Sequence, residues 1–113
     1  MTRTPKPGSR VRGSSTGRPV MALLDLLGRR WALRILWELR AERLSFRTLQ
    51  ERCGTPSPTV LNDRLRELRE SALIDLVEGE GYGLTRYGLE LAQHLLPLTI
   101  WAERWAQHVR RKE

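Results

Sequence analysis

The sequence predicts a mainly α-helical fold with one small β-hairpin. Apolar residues recur at three- and four-residue spacing through most of the chain, as amphipathic helices require. Ser45 before Phe46 and Ser57 before Pro58 are helix-start signals, a side-chain cap followed by the first turn. Between Leu73 and Leu84 the pattern changes to two short β-type runs around Gly79-Glu80-Gly81, a tight-turn signature.

Pro19 suits a first helical position, where its missing N–H has no helical partner to lose. Val20, Leu23, Leu24 and Leu27 continue that helix, and Gly28 closes it. A second helix is predicted from about Arg30 to Arg40. Ala32, Ile35, Leu36 and Leu39 make one face, and Trp31, Leu33 and Trp37 are apolar off that face. A helix apolar on more than one side is covered on more than one side, which in so small a chain hints at a partner subunit. Leu44-Ser45-Phe46 reads as a short extended entry to a helix over 46–53, with Phe46, Leu49 and Cys53 inward. Gly54-Thr55-Pro56-Ser57-Pro58 is a breaker-rich turn. The helix from Pro58 to about Ser71 has Leu61, Leu65, Leu68 and Ala72 as its apolar stripe. Strands follow over 73–78 and 82–84. Thr85 can cap the last helix, which carries Leu91, Leu95, Leu98, Ala102, Trp105 and Val109 in a heptad-like series. Pro97 is expected to kink or split that helix.

The whole chain is 113 residues, one domain's worth. It carries 20 Lys+Arg against 13 Asp+Glu, a net charge of +7. Arg3, Lys6, Arg10, Arg12 and Arg18 lie in residues 1–18 with no acid among them, so that stretch holds +5 of the excess. Its two prolines, three glycines and scarce apolar residues predict a disordered basic arm over 1–18, ahead of a domain over 19–113. Such an arm suits nucleic-acid phosphates, although a solubilising extension has the same composition. No apolar run reaches about 18 residues, so no membrane span is predicted. A single cysteine excludes an internal disulfide framework and multi-cysteine zinc sites. His94 and His108 have no carboxylate or cysteine at metal spacing and read as surface or interface residues. Phosphate-loop, dinucleotide and nucleophile-elbow patterns are missing, and no catalytic triad can be assigned, so neither an enzyme nor a cofactor is expected.

Two helices joined by a Gly-containing turn, near 46–53 and 58–71, make a helix-turn-helix, and the hairpin behind them makes it winged. In that arrangement the second helix presents its N-terminal residues to the DNA major groove. Opposite the Leu61/Leu65/Leu68 stripe stand Thr59, Asn62, Asp63, Arg66 and Glu70, with Arg69 at the edge. Asn can pair with adenine, Arg with guanine, Thr with a thymine methyl, and Asp can accept from cytosine. A solvated face laced by Asp63–Arg66 and Arg66–Glu70 pairs is the plain structural alternative.

Several segments together resemble the HxlR family of winged helix-turn-helix bacterial transcription regulators. They are Leu26-Leu27-Gly28-Arg29-Arg30-Trp31, Ile35-Leu36-Trp37-Glu38-Leu39, Phe46-Arg47-Thr48-Leu49, Ser57-Pro58-Thr59-Val60-Leu61, Arg64-Leu65-Arg66-Glu67-Leu68, Leu84-Thr85-Arg86-Tyr87-Gly88 and Trp105. The resemblance implies a cytoplasmic, homodimeric regulator that binds double-stranded DNA. It assigns the 58–66 segment, with Pro58, Thr59, Asn62, Asp63 and Arg66, to base reading, includes Ser57 among the DNA-binding residues, and gives Ser45, Arg47 and Arg86 as candidates for phosphate contact. It assigns Val20, Leu24, Leu98, Trp101, Trp105 and Val109 to the dimer interface, with intrachain core as the alternative for the two tryptophans. An apolar pocket at that interface can hold a small-molecule effector, which no residue names.

Three departures from the family pattern stand out. The cysteine often found before the first helix is replaced by Arg18-Pro19, and Cys53 is expected to be buried and inert. The wing, Val77-Glu78-Gly79-Glu80-Gly81-Tyr82, is short and acidic, so it is expected to stay out of the minor groove while the basic arm compensates. The recognition helix is less basic than usual. The function expected is therefore operator-specific transcription regulation by a homodimer. A winged-helix protein-interaction module that no longer reads sequence is the alternative, and a non-specific, tail-driven nucleic-acid binder is a third reading.

Overall fold

The structure, a computed structural model, describes residues 4–8 and 18–112. Among the described residues the elements are five helices and a two-stranded hairpin: α1 Pro19–Leu27, α2 Ala32–Glu38, α3 Phe46–Arg52, α4 Pro58–Glu70, β1 Ile74–Val77, β2 Gly81–Leu84 and α5 Arg86–Lys112. This is a winged helix-turn-helix, as the sequence predicts.

Pro19 opens α1, and the Gly28 N–H closes it on the Leu24 carbonyl at 2.9 Å. The inward residues of α1 are Ala22 and Leu26, so Val20 and Leu24 face outward. The second helix begins two residues later than predicted. Trp31 sits at φ 76, in the left-handed region, and the Ala32 N–H bonds back to the Arg29 carbonyl. The segment Gly28–Trp31 is therefore a tight corner, and the Trp31 ring packs on the core with the Arg30 guanidinium 5.0 Å from its centroid. At the far end Arg40 lies over the Trp37 ring at 3.8 Å.

Both predicted caps form. Ser45 Oγ accepts from the Thr48 N–H and Ser57 Oγ from the Val60 N–H. The turn between α3 and α4 passes through Gly54 at φ 85 and Thr55 at φ 62, and the Gln50 side chain donates to the Pro56 carbonyl at 2.9 Å. Cys53 is the C-cap of α3 and is buried. Ala72 is not part of the apolar stripe of α4. It lies beyond the Ser71 cap at φ 60 and is exposed, because the chain reverses there to enter the wing. Thr85 fixes that reversal: its hydroxyl donates to the Ala72 carbonyl at 2.6 Å and accepts from the Gly88 N–H at the start of α5.

In the wing, β1 and β2 are antiparallel, with Ile74 opposite Leu84 and Val77 opposite Gly81. Leu44 adds a third, one-residue rung through mutual backbone bonds with Tyr82. A Cβ at Gly81 would stand 2.4 Å from the Leu44 carbonyl oxygen, and its φ is 85, so only glycine allows this approach. One core joins α1, α2, α3, α4 and the wing. Ile35, Leu36, Leu49, Leu61, Leu65, Leu68 and Ile74 are its fully buried apolar side chains.

Helix α5 continues through Pro97, so of the expected kink or split the split does not occur. The proline removes the N–H that would bond the Gln93 carbonyl, and its ring crowds that carbonyl. Both residues lie on the exposed surface, where water can take that carbonyl. Within the stretch expected to be disordered, residues 4–8 are described and depart from that expectation. Thr4 and Pro5 are buried, and the Thr4 hydroxyl donates to Glu70 Oε2 at 2.7 Å. Residues 1–3 and 9–17 of the arm lie outside the described residues.

Candidate nucleic-acid interface

Ser57 and Pro58 start α4 at the surface, so the first turn of the helix is accessible. Thr59 and Asn62 are exposed on it, and Asp63 and Arg66 are half-buried. With 3.6 residues per turn, residues 59, 62, 63, 66 and 70 share one side. Leu61, Leu65 and Leu68 anchor the other in the core. The face is stitched along its length: Arg66 lies 3.9 Å from Asp63 and 3.3 Å from Glu70. The Thr4 hydroxyl donating to Glu70 holds the Glu70 carboxyl below its ordinary range; burial opposes this, and Arg66 and Lys6 nearby add to it. Both readings of this face remain physically present in it. The side chains are those that read base edges, and they are also paired as a solvated helix face is.

Arg47, in the first turn of α3, is almost fully exposed and lies 3.5 Å from Glu51. Arg86, the first residue of α5, is equally exposed and lies 3.6 Å from Glu90. Exposed i,i+4 pairs of this kind contribute little and exchange readily for phosphate. Ser45 caps α3 and borders an open groove formed with Phe46 and the hairpin residues Leu76 to Tyr82. A second open groove runs between α4 and β1, lined by Arg66, Arg69, Glu70, Ile74, Asp75 and Leu76. The structure thus joins Thr59, Asn62, Asp63 and Arg66 on one helix face and sets Ser45 beside the wing. Arg86 is carried separately, by α5.

The wing tip, Glu78-Gly79-Glu80, is exposed and acidic. Behind it Arg43 crosses the hairpin, donating to Asp75 Oδ1 at 2.5 Å and to the Gly81 carbonyl at 2.8 Å. Its side chain lies over Gly83, where a Cβ would collide with it. Sequence reasoning missed this brace, since nothing in the spacing of residues 43, 75 and 83 marks it.

Val20, Leu24, Leu98, Trp101 and Trp105 are each more than half exposed, and Val109 is 39% exposed. Trp101 and Trp105 stack with ring centroids 5.9 Å apart and planes 6° from parallel. Intrachain core is therefore not their environment. Leu98, Trp101, Trp105 and Val109 fall on one side of α5, while Leu89, Leu96 and Ile100, also exposed, fall on the opposite side. This second stripe was legible as a four- and seven-residue spacing but was not singled out.

Glu67 was also missed. It is buried against Arg29 and Arg64 and pairs with both. Its signals were the Arg64–Glu67 i,i+3 spacing and a place at the flank of the leucine stripe.

The Cys53 thiol is pushed up from its ordinary range by burial and by the Glu38 carboxylate, with Arg34 opposing. It is accordingly a poor nucleophile. Native protein should react with iodoacetamide at least about tenfold more slowly than urea-unfolded protein. Equal rates, followed by mass spectrometry, would show the thiol to be accessible. Among the described residues no cluster of His, Cys, Asp and Glu could hold a metal ion, and no helix is long and apolar enough to cross a membrane.

Comparison with known proteins agrees with this fold. HTH-type transcriptional regulators of Mycobacterium tuberculosis and Mycobacterium bovis are each 36% identical over 102 residues, covering 85% of this chain. The chain spans 61% of the length of those relatives. Quinone-bound YodB from B. subtilis superposes with a TM-score of 0.71 at 26% identity, over 75% of this chain and 94% of that one. A protein of the MarR family of transcriptional regulators from Porphyromonas gingivalis W83 shares the fold, with a TM-score of 0.65 at 17% identity, over 84% of this chain and 97% of that one. The profile of the HxlR-like helix-turn-helix family matches residues 26–110, and the chain belongs to that family.

Proposed function

We propose that this chain is a homodimeric transcription regulator that reads a pseudo-palindromic DNA operator in the cytoplasm. The observation that carries the reading is the α4 face. An accessible N-terminal turn, capped by Ser57, presents Thr59, Asn62, Asp63 and Arg66, and the opposite side is locked in the core. Two such helices in one dimer span about 34 Å, so half-sites lie about one helical turn apart. Ser45, Arg47 and Arg86 supply phosphate contacts. Val20 and Leu24 on α1, with Leu98, Trp101, Trp105 and Val109 on α5, supply the dimer contact.

Arg66→Ala tests the base-reading assignment. Losing a guanidinium that pairs with guanine costs about 1–3 kcal/mol, or about 5- to 150-fold in affinity, and relaxes preference at one base pair. An unchanged Kd on the cognate duplex would return Arg66 to a purely structural ion pair.

The wing is assigned no minor-groove contact, because carboxylates at Glu78 and Glu80 are repelled by phosphate. Basic residues of the 1–18 arm take over that role. The same acidic tip favours the second reading, a protein-interaction module without sequence-specific DNA binding. The B. subtilis neighbour is quinone-bound. Quinones add to thiolates, and the single cysteine here is buried with its ionisation suppressed. Cys53 is therefore assigned no part in effector binding.

A further inference from the structure

Beside the face proposed to read bases, α4 carries a second set of charged groups on its flank, Arg64 and Glu67. Glu67 is 2% exposed, Arg29 11% and Arg64 21%. One Glu67 carboxylate oxygen pairs with Arg29 and the other with Arg64. Arg64 Nε also donates to the Arg30 carbonyl at 2.9 Å, and Arg29 reaches back to Asp25 of α1 at 3.6 Å. The cluster therefore clamps the middle of α4 to the corner between α1 and α2.

We propose that the Arg29–Glu67–Arg64 cluster is a positioning device that fixes the recognition helix relative to the α1 dimerisation helix and so sets the half-site spacing the dimer accepts. This rests on the dimeric, DNA-reading function above. Leucine packing alone is non-directional and tolerates small rotations of one helix on another. A carboxylate held by two guanidinium groups is directional, and displacing it strands buried charge. The leverage is geometric. A change of about 10° in the attitude of α4, acting over about half of the 34 Å span, moves it by about 3 Å. One base-pair step is about 3.4 Å. The outer side of α1, Val20 and Leu24, meets the partner, while its C-terminal corner grips α4. Dimer geometry thus reaches the DNA-reading face through this cluster.

The test uses duplexes whose half-sites the full-length protein selects from a random pool. Each is made at the selected spacing and with one base pair added or removed. Wild type should discriminate against both altered spacings by about tenfold or more. E67Q keeps the shape and loses the charge. It should retain preference for the half-site over scrambled DNA while its spacing discrimination falls to about threefold or less. R29K keeps the charge but loses the second arm of the fork, and should shift the same ratio in the same direction. If E67Q does not fold, R29K and Arg64→Met carry the comparison. A uniform loss of affinity across the three spacings, or unaltered discrimination in the variants that fold, overturns the proposal. A wild type that shows sequence preference but no spacing discrimination overturns it too. A wild type with no sequence preference at all removes the DNA-reading function beneath it.

Discussion

Glu67→Ala should lower stability by about 3–5 kcal/mol, the usual cost of leaving buried charges without their partner. Both Arg29 and Arg64 lose the carboxylate that holds them, and the Glu67 site is too enclosed for water to replace it fully. A small domain has only about 5–15 kcal/mol in total, so the melting temperature should fall by about 15–30 °C. Replacing Glu67 and Arg29 together with methionine should cost less than Glu67→Ala, because only Arg64, the more exposed of the two arginines, then loses its carboxylate. Thermal denaturation followed by circular dichroism measures both. A loss below about 1 kcal/mol for Glu67→Ala would mean that the cluster behaves as an ordinary surface pair.

Replacing Trp101 and Trp105 together with alanine should convert the proposed dimer to monomer. Each indole is a little over half exposed in the single chain. Covering that portion removes about 100 Å² of apolar surface, worth about 2–3 kcal/mol per ring. A two-fold symmetric contact repeats the saving on the partner. The dimer dissociation constant should therefore weaken by about 100-fold or more. Because the rings pack on each other rather than on the core, and alanine favours helix, far-ultraviolet dichroism should be preserved. Sedimentation velocity over a concentration series decides it. A double variant that sediments like wild type would remove these rings from the interface.

Much of the fold was legible because its boundaries are set by local chemistry. Ser45, Ser57-Pro58 and Thr85 cap their helices as their residue types require. The glycines around Glu80 turn the hairpin where two β-type runs meet. Misses occurred where a tertiary contact outweighs a local rule. Trp31 was placed in a helix by its apolar character. The corner at Arg29 and Arg30, gripped by α4, instead holds it in a left-handed turn. Ala72 continued the leucine spacing, but the wing required a reversal there, and Thr85 captured its carbonyl. Pro97 signalled a kink or a split, yet the helix continues through it, on an exposed surface where water can take the freed carbonyl.

The exposed polar face of α4, proposed to read bases, followed from helical periodicity once the helix was placed. The exposure of the tryptophans did not, because spacing alone cannot say whether an apolar stripe meets its own chain or another. Glu67, Arg43 and Thr4 form contacts across 38, 32 and 66 positions of sequence. No pattern within a helix or strand announces such pairings.

Operator reading by the α4 face is tested most directly by fluorescence-anisotropy binding to the DNA upstream of the protein's own gene, against a scrambled duplex, at two salt concentrations. An operator reader should show a preference of about a thousandfold or more that survives physiological salt. Weak binding, equal on both duplexes and abolished by salt, would contradict it: the basic arm would then be the only DNA contact, and the protein-interaction reading would take its place.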